Sequence, residues 1–197
     1  VSSSAPGPGR GRPAGRSGDE SRGVALAAAR RVFARDGYAG ASTRELAAAA
    51  GMEPANLRHH FGSKAELYAR VVDDAMGELG DVLAHELALT PAGAGPAPFL
   101  RRLGALAAEA PDLVTLVALA PLDRARHPEL AGPLGDGAVG LEALVRAAVA
   151  EWRPDAPPEL ADALIAIGFG LAVYPARIDR TLDAAAVIEA VATLFDR

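Results

Sequence analysis

Apolar residues recur at helical rather than strand spacing along nearly the whole chain. Leu26, Ala29 and Phe33 fall at i, i+3 and i+7 with Arg30, Arg31 and Arg35 between them. That pattern predicts an amphipathic helix from Glu20, stopped by Gly37. Ser42-Thr43-Arg44-Glu45 has the form of a capping box. It opens a short, Ala-rich helix over about 43–50 that Gly51 ends. Pro54 suits the first position of the next helix, where its missing N–H is no loss. That helix runs to Phe61, and Gly62-Ser63-Lys64 breaks it. Leu67, Val71, Ala75, Leu79 and Leu83 then repeat every four residues and predict a longer helix. Thr90 to Pro98 is a loop by composition, and helices are predicted beyond it at about 97–110, 112–120, 137–152, 158–173 and 183–196. Leu160 to Tyr174 is apolar on nearly all sides, the mark of a helix buried on more than one face. Val187, Val191, Leu194 and Phe195 form the stripe of the last helix. No segment alternates like a strand, so the fold class is all-α.

Composition narrows the picture. Half of the 197 residues are apolar but only 5% are aromatic, so the core must be built of Ala, Leu and Val. There is no cysteine, which excludes disulfides, thiolate metal sites and a cysteine nucleophile. Residues 1–19 are Ser, Pro, Gly and Arg with hardly a large apolar side chain, and are expected to be a disordered basic tail. No apolar run follows the tail arginines, and the longest apolar stretch, Ala163 to Tyr174, falls short of the roughly 20 residues of a membrane span. A soluble, cytoplasmic protein without a membrane partner is expected. The net charge of −5 is unevenly divided. Residues 1–70 carry 11 basic and 6 acidic side chains, and residues 71–197 carry 9 and 19. A basic first third on an acidic body is what a chain needs if one end meets a polyanion.

The two short helices joined by Gly51-Met52-Glu53 form a helix-turn-helix, the unit that lays its second helix in the DNA major groove. The residues around it, from Leu26 to Phe33, then Gly37-Tyr38, Ser42-Thr43, Leu46-Ala47, Gly51, Leu57, His60-Phe61 and Ser63-Lys64, resemble the tetracycline-repressor (TetR) family of transcriptional regulators. The resemblance covers about residues 22–70. It implies an N-terminal helix-turn-helix DNA-binding bundle over 20–65 and a larger helical effector-binding and dimerisation bundle over 66–197. The remainder of the chain matches that family only in its run of helices.

Each position has a physical reading beside the resemblance. Ser42 caps the first motif helix, whose exposed N–H groups are also able to grip a phosphate. Thr43 and Arg44 start that helix, and Arg44 either reaches a guanine edge or phosphate or pairs with Glu45 or Asp36. Pro54, Ala55 and Asn56 lie in the first turn of the recognition helix. Asn56 either bonds adenine in a bidentate way or serves the helix start. Arg58 and His59 should flank the groove, while His60 and Phe61 should pack against the first motif helix. In the family, the position of Lys64 contacts a phosphate, and here the only lysine of the chain occupies it. Two residues depart from the family pattern. Glu53 stands where a Ser-like cap is frequent, and Arg58 stands where Tyr is usual; Arg58 keeps a phosphate contact and changes the expected sequence preference. Arg10-Gly11-Arg12-Pro13 resembles the core of an AT-hook, against the plainer reading of a solvated basic tail.

The resemblance further implies a homodimer built on the last two helices, a double-stranded DNA operator, and a small-molecule effector that governs repression. Leu79, Leu83, Phe99, Leu103, Leu116, Leu144, Trp152 and Phe169 are the candidate pocket residues. So few polar groups among these stripes favour an apolar or amphipathic effector. His59, His60, His85 and His127 show no HExxH spacing, and the chain holds no G-x-S-x-G and no P-loop, so no enzyme, metal or cofactor is expected. The alternative from a different class is a helical dimeric interaction module without specific DNA binding. A degenerate motif would have lost Ser42, Gly51 or Lys64, and all three are present.

Overall fold

A computed structural model describes residues 18–91, 93–132, 135–173, 181 and 183–195. Most of the basic tail, including Arg10 to Pro13, lies outside the described residues. Among them the secondary structure is helical: α1 (Gly18–Gly40), α2 (Thr43–Ala49), α3 (Pro54–Phe61), α4 (Lys64–Leu89), α5 (Ala97–Glu109), α6 (Pro111–Arg126), α7 (Asp136–Trp152), α8 (Glu159–Val173) and α9 (Ala184–Ala192). Short 3-10 turns follow at Pro128–Leu130 and Thr193–Phe195. No single helix among the described residues is long and apolar enough to cross a membrane.

The punctuation residues act as their chemistry dictates. Gly37 breaks α1 with φ 71° and ψ 175°, a conformation that a side chain would strain. Ser42 and Glu45 form a complete capping box on α2. Ser63 and Glu66 form a second on α4, which begins at Lys64 as expected; the cap itself was not expected. The sixth helix does not end before Pro121 as expected but continues to Arg126. Proline removes one i→i−4 bond and crowds the preceding turn. Pro121 is exposed here, and the turn beyond it is pinned by the bonds that Asp123 accepts.

Among the described residues a main core runs from the small bundle into the larger one, and a smaller cluster of Val145, Val149, Ala161 and Leu164 joins α7 to α8. Phe33, Leu46, Leu57 and Phe61 pack α1, α2 and α3 together, and Leu67 and Tyr68 carry that core into α4. Leu83, Leu100, Leu113, Leu116 and Ile188 continue it into the larger bundle. Fully burying a side chain of this size stabilises by about 1.5–3 kcal/mol. Helices α4 and α7 approach closely at glycines: a Cβ on Gly137 would lie 2.2 Å from the Asp73 carbonyl oxygen and 2.7 Å from the Gly77 nitrogen.

Candidate nucleic-acid interface and the cavities beyond it

Helix α3 is placed by two side chains one turn apart. Leu57 and Phe61 are buried, and at 100° per residue that puts Ala55, Asn56 and His59 on the opposite, exposed face. Arg58 and His60 flank this face on its two edges, both exposed. The expectation for His60 is thereby corrected. Phe61 fills the interior position, and His60 lies in solvent with its ring 5.4 Å from that of His59. Pro54 is the first residue of the helix, and Glu53 precedes it without a side-chain capping bond. The last turn of α3 carries three basic residues in succession, Arg58, His59 and His60.

Helix α2 precedes α3 across the Gly51 turn and packs against it. The Ser42 hydroxyl accepts from the Glu45 N–H at 3.1 Å and donates to the Glu45 carboxylate at 2.7 Å, while the Ser42 N–H donates to the same oxygen at 3.1 Å. Those bonds, the hydroxyl's first, hold the Glu45 carboxyl below its ordinary range. Ser42 is therefore committed to the cap. Asp36 pairs with Arg35 at 2.6 Å, and exposed Arg44 joins neither that pair nor the Glu45 box. Thr43 is half-buried beside it.

Lys64 occupies a more internal place than a plain surface contact. Its Nζ donates to the carbonyls of Tyr38 at 2.8 Å and Ala41 at 3.0 Å, and lies 4.3 Å from the centre of the Tyr38 ring. It thus ties the start of α4 to the segment that delivers Ser42. An ammonium has three donors, and these two carbonyls engage two of them.

Two polar clasps join the small bundle to α6, and the sequence reading found neither. Arg30 of α1 donates to Asp112 at 2.9 Å and also pairs with Glu78 of α4. Asp123 accepts from the Tyr38 N–H at 3.1 Å and from the Tyr68 hydroxyl at 2.8 Å. Tyr68 packs edge-on against Phe33 and Tyr38, and burial followed by the Asp123 bond pushes its hydroxyl well above the ordinary tyrosine range. Asp112 and Asp123 are eleven residues apart, which on a helix places them within about 20° of the same face. The partners are 82 and 85 residues away in sequence, beyond the reach of any local pattern.

Among the described residues, a cleft of about 650 Å³ lies between α4, α6 and α7, lined by Tyr68, Val72, Asp73, Met76, Leu130 and Ala138. The larger bundle also contains two smaller apolar cavities of about 60 Å³ each. The inner one is walled by α4, α5, α6, α7 and α8, and Leu79, Leu83, Phe99, Leu103 and Phe169 of the candidate set line it. The outer one lies between α7 and the Gly93–Pro96 turn, lined by Trp152 with Phe99 again. Leu116 and Leu144 line neither cavity. Leu116 is fully buried in the core, and Leu144 packs half-buried against it. Ligand pockets commonly enclose about 300–1,000 Å³, so an occupant of either 60 Å³ cavity has to part its lining side chains.

At the far end the expected α9 stripe divides. Ile188 is buried with its methyl group against Gly104 of α5, and Val191 and Phe195 pack half-buried on the core. Leu194 alone of the four expected stripe residues is strongly exposed, at 72%. Ile167 is exposed on α8, with Ala163, Ala166 and Gly170 along the same outward side.

Residues 25–71 match a family profile described as bacterial regulatory proteins, tetR family. The HTH-type transcriptional repressor AcnR of Corynebacterium glutamicum is 35% identical over 65 residues, which take in 33% of this chain and 35% of the repressor's length. The fold is shared more widely. FadR of Bacillus subtilis, solved in complex with stearoyl-CoA, superposes with a TM-score of 0.71 at 14% identity, covering 88% of this chain and 97% of that one. The multidrug binding protein EbrR, solved with imidazole, gives 0.60 at 26% identity, covering 88% and 93%.

Proposed function

Through residues 25–71 the chain belongs to the tetR family of bacterial regulatory proteins, and from that premise we propose a ligand-responsive repressor that grips a palindromic DNA operator as a homodimer. The observation that carries this reading is the exposed face of α3, with Ala55, Asn56 and His59 opposite buried Leu57 and Phe61. Asn56 reads adenine and Arg58 a phosphate or guanine. Arg44, exposed at the start of α2, takes a phosphate, and the third donor of Lys64 is available to another. One subunit offers one recognition helix, and a palindrome needs two about 34 Å apart. The outward sides of α8 and the last turn, with Ile167 and Leu194, supply the self-association surface.

Release follows from the position of α6. Val114, Val117 and Ala118 wall the inner cavity, and Asp112 and Asp123 of the same helix hold α1, Tyr38 and Tyr68. An apolar or amphipathic effector that parts the cavity moves a helix clasped at both ends to the DNA-binding bundle. FadR and EbrR, which share the fold, were solved with small molecules bound.

Selection of duplexes from a random pool, followed by anisotropy titration of the enriched sequence, tests the proposal. An inverted repeat bound at least about 10³-fold more tightly than random DNA is the expected result. Equal affinity for both would replace it with the interaction-module reading.

A further inference from the structure

The inner and outer cavities share three side chains, Phe99, Val145 and Leu164, which form the partition between them. Resting on the effector reading above, we infer that the two are chambers of one channel, and that its occupant is an uncharged, unbranched long-chain amphiphile. Chemistry selects that class. The inner chamber has no polar side chain among its lining residues, so a charge placed there would find no hydrogen-bonding partner in its walls. The outer chamber offers polar side chains at its rim: the Thr90 hydroxyl, already donating to the Glu86 carbonyl at 2.8 Å, the exposed Glu151 carboxylate and the Trp152 indole. A neutral head group meets hydrogen-bonding groups there, while a carboxylate head meets Glu151; Arg153, stacked on the Trp152 indole at 4.9 Å, is not among the lining residues. Two small compartments in series, each too small for a fused ring system, admit a chain one carbon wide once the Phe99 ring turns aside. The mouth is formed by a turn in which Gly93 and Gly95 have φ of 81° and 71°, with Gly95 packed on the Trp152 indole, where a Cβ would lie 2.8 Å from the ring nitrogen. Trp152 is the chain's only tryptophan, so its emission reports the mouth directly.

The test titrates the full chain with 1-alkanols from hexanol to dodecanol, with the matching carboxylates and with 1-adamantanol as a compact cage, reading Trp152 emission. Saturable binding that tightens about fourfold per methylene is expected for the alkanols, with weaker binding of each carboxylate and none of the cage. Gly168 faces the inner chamber, where an added Cβ would lie 3.7 Å from Leu103, an ordinary contact. Gly168→Leu should end the gain at a shorter chain, and the milder Gly168→Ala should end it about one carbon earlier than in the parent. No saturable emission change, cage binding equal to that of the alkanols, or an unchanged chain-length limit in folded Gly168→Ala would overturn the inference. Operator release is measured in parallel. Release by other molecules with no alkanol response would sink the channel and leave the regulator standing. Alkanol saturation without release would uphold the channel and remove the effector role from the proposed function.

Discussion

The Tyr68 hydroxyl meets the Asp123 carboxylate at 2.8 Å, joining the first turns of α4 to the last turn of α6. The same carboxylate oxygen receives the Tyr38 N–H, so one side chain fixes both the exit of α1 and the root of α4. Tyr68→Phe should cost about 1–3 kcal/mol at neutral pH, since it leaves a half-buried carboxylate short of a donor. The tyrosine is held protonated in the folded state, so its contribution is complete below pH about 10 and is lost as the pH rises from there toward the raised folded value. Denaturant melts of both proteins between pH 7 and 11.5 check this: the parent should lose stability above pH 10 more steeply than Tyr68→Phe.

Lys64→Ala removes two bonds to backbone carbonyls and a cation over the Tyr38 ring. The expected loss of stability is about 1–2 kcal/mol. If the third donor meets a phosphate, the slope of log affinity against log salt falls by about one as well. Parallel melts and salt titrations separate the two, and an unchanged slope would confine Lys64 to holding the loop.

Asn56 and Arg58 stand on different parts of the α3 surface and should fail differently. Asn56→Ala should relax preference at one base pair by roughly 1–3 kcal/mol and leave binding to random DNA unaltered. Arg58→Ala should weaken both, with a shallower salt slope. Competition with single-base operator variants gives the comparison, and identical profiles for the two mutants would reject the assignment.

Ile167→Glu and Leu194→Glu place charges on outward positions of α8 and of the last turn, at residues 39% and 72% exposed. Sedimentation should show folded monomers with specific affinity lost and random-sequence affinity largely kept. Val191→Glu is a different experiment, because Val191 packs on the subunit's own core and its loss should lower the melting temperature too.

Gly137→Ala puts a methyl against backbone atoms of α4, which cannot turn aside as a side chain can. Overpacking of this kind costs typically 1–3 kcal/mol. Gly140→Ala, on the same helix with open space around it, should be neutral or slightly stabilising in the same melts.

The helix-turn-helix end was legible because its signals are local. Ser42 with Glu45, Gly51 and Pro54 each act within four residues, and α2 and α3 begin where those residues place them. The same signature at Ser63 and Glu66 was equally readable. His60 was misplaced because the interior positions of α3, Leu57 and Phe61, differ by one turn and leave the intervening residue at the edge. The extent of α6 was hidden by Pro121, whose cost is offset by tertiary bonds that no neighbouring residue announces. An apolar stripe also does not say what it faces: on α9, Val191 and Phe195 meet their own core, and Leu194 does not. The clasps of Asp112 and Asp123 lie furthest from reach, since each joins residues more than eighty positions apart.

The shared interior has a consequence for anyone recombining such proteins. Helix α4 begins beside α3 and runs for 26 residues into the opposite bundle, and Arg30 of α1 has its partners in α4 and α6. A chimera cut at residue 65 would carry Arg30 and Tyr38 away from the carboxylates that answer them. Under the release mechanism proposed above, a graft that brings Glu78, Asp112 and Asp123 into the recipient, at their native spacing along α4 and α6, should transmit its new sensor's signal; one that omits them should yield a hybrid that binds DNA and ignores its ligand.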